Sequence, residues 1–216
     1  VRPGYITGNK ISGVTNTDDF LVRMWKGCIQ LGARPRIRNT VNMVPVDHVA
    51  RVVVASALHP SKTPLGVAQV TAHPRPTFSD YCGALETYGY QVPEIDYRSW
   101  AKKLEEYAAK DGVEQHALMP LYHFATTDLP GDTVAPEMDD VNAAASLKAD
   151  AAFTGEDVSA GSGPNTEILG NYLAYLSGIG FLPKPTGKGE KELPQLQSSE
   201  EQKAALLRVG GRGALV

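Results

Sequence analysis

Residues 1–8 read Val-Arg-Pro-Gly-Tyr-Ile-Thr-Gly, and residues 42–53 read Asn-Met-Val-Pro-Val-Asp-His-Val-Ala-Arg-Val-Val. The first run is a short buried strand that Arg2, Pro3 and Gly4 turn into a loop, because Pro cannot donate to a central ladder and Gly relaxes the backbone. A site can form at such a strand end. The second run is a strand over 42–46, then a helix with Asp47 at its N-cap, ahead of Val49, Val52, Val53 and Leu58. Between the two runs, Asn16 or Thr17 caps a further helix. Asp18 and Asp19 sit in its first turn, at the positive end of its dipole, and Gly32 closes it. Leu21, Met24, Trp25, Cys28 and Ile29 recur at helical spacing and make its core face.

Further along, 67–72 is another short strand. His73, Pro74, Arg75 and Pro76 form a rigid loop before Thr77, whose hydroxyl can cap a helix to about Tyr88. Residues 90–97 are extended, with Pro93 marking an edge or a break. Strands alternating with helices predict the α/β class. From Ser99 the pattern becomes helical, over 100–110, 114–124, 139–151 and 166–178, which suits a lid or small subdomain. Beyond Phe181 the Pro, Gly and mixed charges read as a linker, with one surface helix over 199–209.

Composition narrows the function classes. The chain has 216 residues, 42% hydrophobic and 21% charged, enough apolar material for a packed core. A formal net charge of -3 builds no broad positive field, so nucleic acid is not an expected partner. The apolar stretches at 52–58 and 172–182 are shorter than the roughly 20 residues that cross a bilayer, so no membrane partner is expected. Cys28 and Cys82 sit in amphipathic helical segments and read as buried thiols in a reducing compartment. The first residues have neither an initiator Met nor signal-peptide features, so the chain reads as beginning inside a domain.

Several polar groups have plain structural readings. His116 and His123 are about two helical turns, roughly 10 Å, apart with no third ligand at suitable spacing, so no metal is expected. Asp139 and Asp140 support a helix start by charge. His48 reads as a helix-surface or partly buried histidine. Tyr172, Leu173, Leu176 and Ile179 form a core stripe. Arg2 reads equally as a salt-bridged strand end or as a cofactor contact.

Three runs in order, 1–8, 16–23 (Asn-Thr-Asp-Asp-Phe-Leu-Val-Arg) and 44–51 (Val-Pro-Val-Asp-His-Val-Ala-Arg), resemble the C-terminal reductase domain of carrier-protein-dependent thioester reductases. These are extended short-chain dehydrogenase/reductases. With 26–32, His73-Pro74 and 128–133, the likeness is nearest to the fungal α-aminoadipate reductases and extends to about residue 186.

The resemblance implies the C-terminal portion of an extended Rossmann-like reductase domain with a mostly helical substrate-binding subdomain. Residues 1–60 would carry the last strands and helices of the NADPH-binding part, 61–183 the substrate side, and 184–216 a linker or tail. It implies NADPH as cofactor and a phosphopantetheine thioester as substrate, an aminoadipyl group released as its semialdehyde in lysine biosynthesis. It also implies a cytoplasmic setting. The partners would be an upstream Rossmann half, an acyl carrier domain and the small-molecule acyl thioester. Pro3, Gly4, Tyr5 and Ile6 would lie beside the nicotinamide. Asn16, Phe20 and Arg23 would border the acyl channel, with Arg23 suited to a substrate carboxylate and Arg36, Arg38 and Arg75 able to do the same.

The sequence departs from the whole-domain pattern. No Tyr is followed four positions later by Lys, and Gly161-Ser-Gly163 does not continue as a dinucleotide turn. The catalytic pair is therefore expected upstream of Val1, and the chain alone is expected to be inactive. A non-catalytic module that binds a carrier protein or another protein is the competing reading. A sugar-nucleotide epimerase or dehydratase is weaker, since the cleft-forming segments offer no basic pair for a pyrophosphate.

Overall fold

The first strand is split at Gly4 and shared between two neighbours. In a computed structural model, which describes residues 1–60, 62–63, 66–110, 115–134 and 136–196, β1 is Arg2–Pro3 and β2 is Tyr5–Thr7. They are followed by α1 (Phe20–Leu31), β3 (Arg34–Arg36), β4 (Met43–Pro45), α2 (Val46–Leu58), β5 (Gln69–Val70), α3 (Phe78–Thr87), β6 (Glu94–Asp96) and α4 (Tyr97–Ala108). The remaining helices are α5 (Tyr122–Thr126), α6 (Leu129–Asp132), α7 (Val141–Thr154) and α8 (Thr166–Gly178). All three strand pairs are parallel: β1 with β5, β2 with β4 and β3 with β6.

Strand 1–8 is not the buried strand its composition predicts. Val1, Tyr5 and Ile6 are 49%, 38% and 43% exposed. Among the described residues β1 and β2 each have a partner on one edge only, so the second edge and one face meet solvent.

Local chemistry explains the helix boundaries. Asp19, not Asn16 or Thr17, caps α1: its carboxylate accepts the Leu21 N–H, while Asn16 accepts from Asp18 in the preceding turn. Gly32 ends the helix in the left-handed region at φ 62°, as expected. Asp47 is not a cap. The second helix already begins at Val46 after Pro45, and the Asp47 carboxylate accepts the Lys10 N–H at 3.0 Å with the Lys10 ammonium at 3.5 Å. Thr77 does cap α3, in a reciprocal capping box with Asp80. The helix expected over 114–124 is instead a 3-10 turn at Met119–Leu121 leading into α5; Pro120 has no N–H to continue an α-helical ladder. Strand β3 and helix α6 fall where no regular element is expected from sequence. The helix expected over 199–209 lies outside the described residues.

Two apolar cores result. The larger packs α1, α3, α4 and α8 through Leu21, Trp25, Leu85, Trp100 and Leu173, and both cysteines are free thiols buried in it. The smaller packs α2 and α7 with β4 and β5 through Val44, Val52, Val70 and Leu147. Over 184–196 the expected linker is a strap on the larger core. Gly187 N–H bonds Gly89 O at 2.9 Å, Lys191 N–H bonds Thr87 O at 3.0 Å, and Leu193 and Leu196 pack inward. Among the described residues no helix is long and apolar enough to cross a membrane.

An ion-pair network joins β3, β6 and α3. Arg34 meets Glu86 and Glu94, each at 2.6 Å, and Arg36 and Arg38 add contacts to Glu94 at 2.9 and 3.0 Å. Burial alone would raise the Glu94 pKa, but hydrogen bonds from Arg36 and Arg34 outweigh it and hold the carboxyl below its ordinary 4.5. A folded-state value below the unfolded one gives stability that is present above the ordinary range and is lost as pH falls through the lower value. The urea midpoint is therefore expected to drop between about pH 5 and pH 3, and Glu94→Gln to flatten that limb. An unchanged slope in the variant would remove Glu94 as its source.

Candidate functional site

The bend at Gly4 forms one wall of a cleft of about 370 Å³. Arg2, Pro3 and Tyr5 continue that wall, Asn42 and Gln69 lie on neighbouring strand ends, and Phe78, Thr133 and Met138 stand on other elements. The volume is in the range of small-molecule sites.

Asn42 holds this corner together. Its backbone carbonyl accepts the Tyr5 N–H at 2.8 Å, its side-chain amide donates to Val70 O at 3.1 Å, and its side-chain oxygen accepts the Ala72 N–H at 2.8 Å. One residue thus joins the strand ends of β2, β4 and β5. A Cβ at Gly4 would overlap the Asn42 carbonyl oxygen, so the close approach requires glycine. From sequence, Asn42 reads only as the first residue of a strand, and nothing local marks it as a brace. A second brace comes from α8, where the Tyr172 hydroxyl donates to Gly8 O at 2.8 Å and lies 3.0 Å from the Thr7 hydroxyl. Tyr172 is therefore both core, as its spacing predicts, and an anchor for the end of β2.

Parallel ladders bond alternate residues to the same neighbour. With Tyr5 N–H on Asn42, the Ile6 N–H and C=O face the opposite edge, where no strand lies among the described residues. That edge can offer a donor and an acceptor to a carboxamide.

Of the residues assigned to cofactor and substrate from sequence, Pro3, Gly4 and Tyr5 line the cleft, and Ile6 follows on the same strand. Phe20, at the first turn of α1, lies 6.3 Å from the Tyr5 ring, 6.3 Å from Phe78 and 5.3 Å edge-on from Phe124. Tyr5 and Phe20 are thereby parts of one aromatic wall. Asn16 sits in the turn before α1. Arg23 is held by Asp18 at 2.6 Å and by Ala117 O at 3.2 Å. Burial and the nearby Asp19 carboxylate raise the Tyr5 pKa, so its hydroxyl stays protonated at neutral pH. Burial also raises the Asp19 pKa, against hydrogen bonds from the Leu21 and Val22 backbone.

The Asp139–Asp140 pair divides its work. Asp139 accepts the Val141 N–H at 2.8 Å, supporting the helix start. Asp140 turns instead to the Thr71 hydroxyl at 2.7 Å and His73 Nε2 at 2.6 Å, tying the start of α7 to the segment after β5. Burial opposes ionisation there, but the hydrogen bonds from Thr71 and His73 lower its pKa. His73 Nε2 thus meets both partners, and the cluster is a structural tie.

The profile of an NAD-binding family described as male sterility protein matches residues 1–53, the segment that builds this strand and its neighbours. The chain is 59% identical over 217 residues to the L-2-aminoadipate reductase large subunit of Penicillium chrysogenum, covering 99% of this chain and 15% of that protein. It is 50% identical over 216 residues to the L-2-aminoadipate reductase of Saccharomyces cerevisiae, with the same shares of 99% and 15%. Nearly the whole chain is thus similar to one segment of proteins named L-2-aminoadipate reductase. It spans about 15% of the length of these relatives.

Solved reductase domains share this fold. The terminal R domain of a myxalamid pathway superposes with TM-score 0.63 at 24% identity, covering 85% of this chain and 44% of that one. A thiolation-reductase di-domain from an archaeal non-ribosomal peptide synthetase superposes with TM-score 0.58 at 20% identity, covering 83% and 36%. The chain is thus α/β, with the fold of the C-terminal portion of an extended Rossmann-like reductase domain and a mostly helical portion.

Proposed function

We propose that this chain forms the nicotinamide-facing strand and the acyl-binding wall of a reductase that converts a carrier-bound aminoadipyl thioester to aminoadipate semialdehyde. The observation that carries the proposal is the likeness of 99% of this chain to a segment of proteins named L-2-aminoadipate reductase, combined with the cleft that the 1–8 strand lines. The cofactor, NADPH in this reading, supplies hydride to the carbonyl carbon; the carbon–sulfur bond breaks, the thiol takes a proton and an aldehyde is left. Pro3, Gly4, Tyr5 and Ile6 present backbone and apolar surface to the nicotinamide. Asn16, Phe20 and Arg23 border the acyl channel, with Phe20 as its apolar side and Arg23 fixing the turn before α1.

The substrate arrives on phosphopantetheine from an acyl carrier domain. The general acid and the dinucleotide turn come from an upstream Rossmann half, because the sequence contains neither Tyr-x-x-x-Lys nor a dinucleotide glycine pattern. In this reading residues 1–60 serve mainly the cofactor side and 61–183 the substrate side. The pathway is lysine biosynthesis in the cytoplasm. The likeness to a thiolation-reductase di-domain also favours a second reading, in which the helical region binds a carrier protein without catalysis.

Fluorescence titration with NADPH tests the division of labour. The 216-residue chain is expected to give no saturable signal and the parent polypeptide a saturable one; saturation by the chain alone would place the cofactor site within it. Carrier binding by a parent protein that never binds NADPH would favour the second reading. The open edge of β1 and β2, with Ile6, Val53 and Val54 exposed, leads to a further expectation: light scattering of the chain alone should detect association. A clean monomer, with 1–60 protected from hydrogen exchange, would contradict it.

A further inference from the structure

We infer that Arg2 receives the carboxylate at the far end of the acyl chain, a role that the resemblance gives to Arg23 with Arg36, Arg38 and Arg75 as alternatives. The inference rests on the proposed aminoadipyl substrate. A thioester at one carboxyl of aminoadipate leaves the second carboxyl ionised, several methylenes from the reacting carbonyl. A cleft that takes such a chain needs apolar walls along its length and a cation at its end.

The arginines differ in what already holds them. Arg23 is paired with Asp18, Arg34 with Glu86 and Glu94, Arg36 and Arg38 with Glu94, and Arg51 with Asp150 and Glu156. Arg75 donates to Pro136 O. Arg2 lines the cleft, and among the described residues its guanidinium has no carboxylate partner. Its backbone is fixed, with its N–H on Ala68 O at 2.8 Å and Gln69 opposite in the ladder. A guanidinium on an anchored strand presents a planar fork to a carboxylate, and this geometry gives selectivity as well as charge. Val41, Phe78 and Met138 line the same cleft and suit the methylenes between the two ends.

The test uses the parent reductase with two soluble thioesters, the N-acetylcysteamine esters of adipate and of hexanoate, which differ in the terminal carboxylate. Turnover is followed by nicotinamide absorbance, or by inhibition constant for a thioester that binds without reacting. Arg2→Gln is expected to weaken the adipyl thioester roughly 10- to 100-fold and the hexanoyl thioester by no more than about twofold, with cofactor KM unchanged. Arg2→Lys should fall between, since it keeps charge but not the fork, and it serves if Arg2→Gln folds poorly. Equal losses on both thioesters, or a raised cofactor KM, would overturn the inference and leave the thioester reading intact. So would a carboxylate-selective loss in Arg23→Gln with none in Arg2→Gln. If the unaltered enzyme reduces neither thioester, the proposed function fails and this inference falls with it.

Discussion

Gly4→Ala is expected to lower hydride transfer in the parent reductase by roughly 10- to 100-fold, with only a modest loss of stability. The added methyl would overlap the Asn42 carbonyl oxygen and crowd the Asn42 side-chain amide. That carbonyl is the acceptor for Tyr5 N–H, and the amide bonds Val70 O and Ala72 N–H. The clash therefore falls on the residue that sets the spacing of three strand ends. Relief requires β2 to move away from β4, carrying Tyr5 and Ile6 with it. Displacements of this kind cost little in buried area but much in rate, because transfer depends on the reacting atoms meeting in a narrow geometry. Stopped-flow measurement of the single-turnover rate separates the effects: the rate should fall while the melting temperature changes by a few degrees at most. Gly178→Ala is the control, since its Cβ meets nothing within 4 Å. A normal rate in Gly4→Ala would mean that the bend is not positioned against the reacting centre.

The features legible in the sequence were those written in local chemistry. Gly32, the Thr77 cap, and α8 with its Tyr172, Leu173 and Leu176 face follow from side chains interacting within a turn or two of themselves. What local reading misplaced depends on distant partners. Asp47 looks like a cap until Lys10 claims it, and Asp140 looks like a dipole charge until Thr71 and His73 are brought beside it. Strand β3 is legible only with β6, because an Arg-Pro-Arg run has no strand signal of its own and gains one through the Glu94 ion pairs. At the candidate site, motif resemblance points to the strand and to Phe20, and the fold sets the Phe20 ring beside Tyr5. The selection among arginines required knowing which are already paired.

The helix that sets Phe20 against Tyr5 and Phe78 of the cleft wall is anchored in the core by Trp25, and Trp25→Ala should destabilise the fold by about 3–5 kcal/mol. Trp25 is fully buried, its ring stacks on Tyr81 of α3 with centroids 4.4 Å apart and planes 5° apart, and its indole N–H donates to the Tyr81 carbonyl at 3.1 Å. Truncation removes the stacked ring and leaves a void between α1 and α3, where Cys28 and Cys82 also lie in the core. These helices are fixed at both ends by caps and strands, so they can close the void only in part. Trp25→Phe keeps most of the volume and loses the hydrogen bond, and should cost about 1–2 kcal/mol. Urea unfolding measures both, with Trp100 remaining as the fluorescent reporter. A domain stable by about 5–15 kcal/mol survives the second change and is brought near its limit by the first. Because α1 begins at Phe20, against Tyr5, loosening its core end should also loosen the cleft wall. Trp25→Ala is therefore expected to raise the exchange rate of the Tyr5 and Thr7 amides, which face β4, before it unfolds the chain. Exchange there that rises only in step with global unfolding would show that the wall is held by Asn42 and Tyr172 alone.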